Sequence, residues 1–128
     1  MAFYSRPKME FVALLSSGKG TWGQVAGLIK QGTWEKVFLI CTEFAGSTIK
    51  NFDFSKNAEI IVINFDKPIL EVIEDIKKKL SDKFAGMEVS VSLASGDGKE
   101  HMALISALLN LPVGVKFVAL TKDGVAEF

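Results

Sequence analysis

Residues 10–32 read EFVALLSSGKGTWGQVAGLIKQG, and this stretch decides the fold class. Glu10–Ser16 (EFVALLS) is a nearly continuous apolar run, the pattern of a strand covered on both faces. Gly18-Lys19-Gly20-Thr21-Trp22-Gly23 then turns the chain. Trp22, Val25, Ala26, Leu28 and Ile29 recur at helical spacing, and Gly32 closes that helix. A strand, a glycine turn and a helix N-terminus together favour an anion. The first helical N–H groups lack partners, the dipole end is positive, and glycine lets the backbone approach a phosphate.

The same three-part unit recurs downstream. Glu88–Ala94 (EVSVSLA) predicts a strand, Ser95-Gly96-Asp97-Gly98-Lys99 a second glycine turn, and Met102–Leu111 (MALISALLNL) a helix apolar almost all round. A helix of that kind is covered on more than one side, and in so small a domain the second cover is a second copy of the chain. Between the two units, Lys36–Thr42 (KVFLICT) and Glu59–Phe65 (EIIVINF) predict further strands, with residues 43–57 irregular apart from a short helix around Ser47–Phe52. Asp66 is placed to cap a helix that has Pro68 in its first turn. Ile69, Ile73, Ile76, Leu80 and Phe84 mark that helix's buried face. Lys122-Asp123-Gly124 between Lys116–Thr121 and Val125–Phe128 signals a hairpin, so the last strand is antiparallel and at an edge.

Alternating strands and helices predict an α/β domain: a Rossmann-like three-layer sandwich of about six strands, mainly parallel, with an antiparallel C-terminal edge strand. The whole chain, 1–128, is one domain. The simplest doubly wound order, 3-2-1-4-5-6, makes strands one and four neighbours at the switch point. Both glycine turns then line one crevice.

Composition narrows the function classes. The chain is 48% hydrophobic with 10 Phe, enough for a sizeable core, and its formal net charge is zero. A neutral balance argues against duplex nucleic acid as a partner, while a small phosphorylated ligand needs only a few local donors. Cys41 and His101 are the single residues of their types, so neither a disulfide nor a two-His metal motif is expected. No apolar run reaches the ~18 residues of a membrane span and no leader is evident, so no membrane partner and a cytoplasmic location are expected. No cofactor and no metal are expected.

Gly18, Gly20 and Gly23 fit the G-x-G-x-x-G spacing in its strand–turn–helix context, and Glu43 follows the second strand where a ribose-binding acid belongs. On that reading the chain is a small NAD- or nucleotide-binding domain. Trp22 is bulky for a turn that admits a pyrophosphate, and there is no room for a substrate domain. A third reading is a non-catalytic module that dimerises through Met102–Leu111.

Residues 89–109, VSVSLASGDGKEHMALISALL, are similar to the signature of CARF domains, the CRISPR-associated Rossmann-fold sensors. In those domains an apolar strand enters a Thr/Ser-Gly-Gly-Thr-Lys-like turn and then a small-residue helix. Ser95, Gly96 and Lys99 agree with that turn; Asp97 and Gly98 depart from it. The loop Ser16–Thr21, Thr42 after the second strand and the C-terminal hairpin also resemble the family's order of elements.

The resemblance implies a homodimer, through the Met102–Leu111 helix, that binds a cyclic oligoadenylate. Its ligand-binding residues would be Ser16, Gly18, Lys19, Gly20, Thr21, Thr42, Ser95, Gly96, Asp97, Gly98, Lys99 and Met102. Some CARF domains are ring nucleases that cleave the cyclic messenger without metal. For such chemistry Lys99 would stabilise developing charge, His101 would act as general acid–base, and Ser17, Thr21 or Ser95 would position the ring.

Overall fold

The computed structural model describes residues 9–17, 21–49 and 58–128. Among them runs a six-stranded sheet. β1 (Glu10–Leu15) is flanked by β2 (Lys36–Cys41) and β4 (Glu88–Ser92), with β3 (Ala58–Val62) outside β2. β5 (Gly114–Thr121) lies outside β4, and β6 (Gly124–Glu127) closes that edge, giving the order β3-β2-β1-β4-β5-β6. Every pairing is parallel except that of β5 with β6. All six residues of β1 are buried, as its unbroken apolar run requires of a strand covered on both faces. The α/β class, the strand order and the antiparallel edge are those expected.

Side chains alternate along the strands into two apolar layers. Phe11, Ala13 and Leu15 of β1 pack with α1 (Trp22–Gln31) and α2 (Glu43–Thr48). Val12 and Leu14 pack with α3 (Ile69–Leu80) and α4 (Gly98–Leu109). On α3 the spacing Val72, Ile76, Leu80 lines up one fully buried stripe. The helix's charged residues fall mainly on the other face. Glu10 is the exception to an apolar β1. Its buried carboxylate accepts the N–H of Gly86 at 2.7 Å and of Ala85 at 3.0 Å, fixing the connection from α3 to β4.

Several local expectations are corrected. The short helix after β2 covers Glu43–Thr48 rather than Ser47–Phe52, because the Thr42 hydroxyl accepts the Ala45 N–H at 3.1 Å and starts the helix at once; residues 50–52 lie outside the described set. Asp66 does not cap α3. The cap position is Pro68, without a side-chain bond, and Asp66 instead gives its N–H to Asn64 Oδ1. β3 and β4 stop early, at Val62 and Ser92, although Ile63 and Phe65 remain in the core. α4 begins one turn before Met102, at Gly98, because Asp97 caps it.

Candidate functional site

The crevice forms where the chain leaves β1 and β4. Ser16, just past β1, has every polar atom engaged. Its N–H donates to Ser95 Oγ at 3.0 Å, its hydroxyl to Glu100 Oε2 at 3.1 Å, and its carbonyl accepts the Trp22 indole N–H at 2.9 Å. Trp22 is therefore a packing residue with a polar handle that ties the start of α1 to the residue after β1, while its ring is fully buried.

Glu100, which the sequence reading passes over, joins the two turns. Only 6% exposed, its carboxylate accepts the Asp97 N–H at 2.9 Å as well as the Ser16 hydroxyl, while Asp97 Oδ1 accepts the Glu100 N–H at 2.8 Å. This is a reciprocal capping box, and the Asp97-x-x-Glu100 spacing is its signature.

Gly96 has a structural duty. Its φ is +114°, and a Cβ there would stand 3.0 Å from His101 Nε2 and 3.1 Å from Glu100 Oε1. His101 lies under this turn with Nε2 2.9 Å from the Ser95 carbonyl. A carbonyl only accepts, so Nε2 carries the hydrogen. Gly98, exposed, opens α4, and a Cβ added there would meet nothing within 4 Å.

The remaining expected residues divide. Thr42 gives its N–H to the Leu15 carbonyl at 3.2 Å, which sets the start of α2 beside the β1 end of the crevice, and its hydroxyl is engaged in capping α2. Ser17 is exposed at the same end. Thr21 occupies the α1 cap position without a side-chain cap bond. Gly18, Lys19 and Gly20 lie outside the described residues. Lys99 does not join this network: its ammonium donates to the Lys67 carbonyl at 2.7 Å, tying α4 to the connection before α3. Met102 is 57% exposed on the outer side of α4. Glu43 is exposed in the first turn of α2, next to Thr42.

The two helix ends differ electrostatically. The α4 end carries Asp97 and Glu100, whose carboxylates satisfy each other's N–H groups. The first turn of α1 has no acidic residue. An incoming anion therefore favours the α1 end, and hydroxyl groups suit the exposed Asp97 carboxylate. Among the described residues no group of three His, Cys, Asp or Glu side chains comes together in a way that would hold a metal, and no helix is long and apolar enough to cross a membrane.

No protein-family model matches this chain, and no curated protein matches it at a significant level.

Proposed function

We propose that this domain binds a cyclic oligoadenylate as a homodimer, and that it is a sensor or a sink for the messenger. The observation that carries this reading is the junction at the switch point: β1 and β4 are neighbours, and the Ser16 N–H to Ser95 Oγ bond ties the end of β1 to the residue that opens the second turn. Ligands of open α/β sheets bind in such a crevice. The phosphates face the first turn of α1, and ribose hydroxyls meet Asp97.

The second copy is assigned to the outer face of α4. The helix sorts its apolar residues, with Ala103, Leu104, Ala107 and Leu108 in the core and Met102, Ile105 and Leu109 along an outward stripe. Met102 is the end of that stripe nearest the crevice. A two-fold axis passing there sets two crevices side by side, so one ring spans both.

Binding is favoured over cleavage by the positions of the two expected catalytic groups. Lys99 and His101 are both held by backbone carbonyls, of Lys67 and Ser95, rather than presented to the crevice.

The test is incubation with cyclic tetra- and hexa-adenylate in EDTA, followed by chromatography and by sedimentation, with NAD as a parallel ligand. Saturable binding of an intact ring by a dimer is expected. Conversion to linear products would make the protein a ring nuclease. No interaction with either ring would overturn the proposal, and NAD binding lost in Glu43→Ala would replace it with a dinucleotide site.

A further inference from the structure

An apolar cavity of about 480 Å³ opens beside the crevice, in the fork between β4 and β5. Its walls include Leu93 and Ala94, the residues that lead into the second turn, and Gln24 from the first turn of α1. Its size lies within the ~300–1,000 Å³ of ordinary ligand pockets.

The fork has a cause in the backbone. The β4–β5 ladder ends at Val91–Phe117, while β5 runs on to Thr121. β4 stops because the Ser92 hydroxyl takes the Ala94 N–H at 3.3 Å and bends the chain away. Above Phe117, β5 is paired only with β6. Phe117 and Phe128 exchange both backbone bonds, at 3.1 and 2.9 Å, so in the alternation of an antiparallel pair Ala119 and Thr121 also turn toward β6. The backbone groups of Val118 and Leu120 then turn toward the fork. Among the described residues no backbone bond joins Leu93 or Ala94 to β5. Among the described residues the Val118 carbonyl, on the cavity wall, and the Leu120 N–H, two residues further along the same edge, have no backbone partner, one acceptor beside one donor.

We infer that this fork is a pocket for an aminopurine base. An exocyclic amine next to an unprotonated ring nitrogen is the complement of that pair: the amine donates to the Val118 carbonyl and the ring nitrogen accepts the Leu120 N–H. A base bonded to a strand edge lies in the plane of the sheet, so its two π-faces need cover from both layers. The cavity supplies both. Phe117 belongs to the α3–α4 layer and stacks against Phe128, with ring centroids 6.2 Å apart, while Val118 belongs to the α1–α2 layer. An added peptide strand fits less well, because the free edge spans only Val118–Leu120 before the β5–β6 turn. The pocket rests on the reading of the crevice as a nucleotide site and specifies what that site recognises.

The experiment is an amide-resolved NMR titration of the whole chain with AMP and, separately, with IMP, whose carbonyl replaces the amine. AMP is expected to shift the Leu120 and Ala119 amides saturably, with IMP at least ~10-fold weaker, the loss expected when its carbonyl faces the Val118 carbonyl and, on the N1 edge, its N1–H faces the Leu120 N–H. Ala119→Leu, which fills the cavity, should abolish the AMP shifts while the rest of the spectrum stays native. Equal binding of AMP and IMP, or AMP shifts at the turns without movement of Leu120, would overturn the pocket. Cyclic tetra-adenylate bound with Leu120 unmoved also overturns it and leaves the crevice reading standing. Leu120 responding to AMP, in a protein that binds no cyclic ring, keeps the pocket and removes that reading.

Discussion

Replacing Glu100 with alanine removes a carboxylate that touches both turns. The Asp97 cap on the backbone of residue 100 survives, since that bond needs only the N–H. Half of the capping box is lost, about 0.5–1 kcal/mol. The Ser16 hydroxyl, in a residue only 8% exposed, loses its acceptor, which costs about 1–2 kcal/mol. Relief of repulsion between the carboxylates of Asp97 and Glu100 returns roughly 0.2–0.5 kcal/mol. The net loss is about 1–3 kcal/mol, a fall of about 4–12 °C in Tm for a domain of this size. Glu100→Gln keeps a carbonyl for the Asp97 N–H, and the Ser16 hydroxyl can accept from the new amide, so it should lose under about 1 kcal/mol. Urea unfolding followed by tryptophan fluorescence measures both variants through the shift in midpoint at constant slope. An alanine variant within about 0.5 kcal/mol of the parent, or a glutamine variant as damaged as the alanine one, would refute the role given to this carboxylate.

Leu109→Glu should halve the sedimenting mass with little change in the monomer's stability, whereas Leu108→Ala should cost about 2–5 kcal/mol as a core truncation; an unaltered sedimentation coefficient for Leu109→Glu refutes the α4 interface. Burial pushes the Cys41 thiol from its ordinary 9.0 up to about 12. The folded state thus holds a proton that the unfolded state releases, and stability should fall by about 1.4 kcal/mol per pH unit between those values. Below pH 9 this contribution is fully present, and Cys41→Ala should lack the added alkaline slope; parallel curves for the two proteins from pH 8 to 10 would exclude it. Glu10→Ala should cost about 2–4 kcal/mol by leaving the Ala85 and Gly86 N–H groups without their acceptor, and should speed amide exchange at both; a loss under about 1 kcal/mol counts against it.

The sheet was legible because its central strands β1 and β2 are apolar on both faces, and β1 is the clearest case. EFVALL reads as a run that only a central parallel strand can bury, and the hairpin signal at Asp123-Gly124 set the antiparallel edge. Helix starts were less legible. The cap residues Thr42 and Asp97 act through side-chain bonds to a backbone N–H, and such bonds move a helix start by a turn without altering the apolar pattern. The same limit applied to α4. Its near-uniform apolar run predicts two covered sides, whereas the structure buries Leu104 and Leu108 and leaves Met102 and Leu109 exposed, a division that hydrophobicity alone could not make.

The crevice was legible as a place and far less as a chemistry, for a physical reason. Sequence motifs count donors that a glycine turn leaves open, and here the second turn closes on itself. Asp97 and Glu100 satisfy each other's N–H groups, Ser95 takes the Ser16 N–H, His101 is held on the Ser95 carbonyl, and Lys99 reaches Lys67. A turn so occupied spends these donors within the chain. By capping α4 and bending β4 away at Ser92, this end of the sheet frees the edge of β5. The self-satisfied turn and the exposed Val118–Leu120 edge are thus two results of one early strand ending. The aminopurine proposed for that edge would meet a preformed site, with little ordering still to be done on binding.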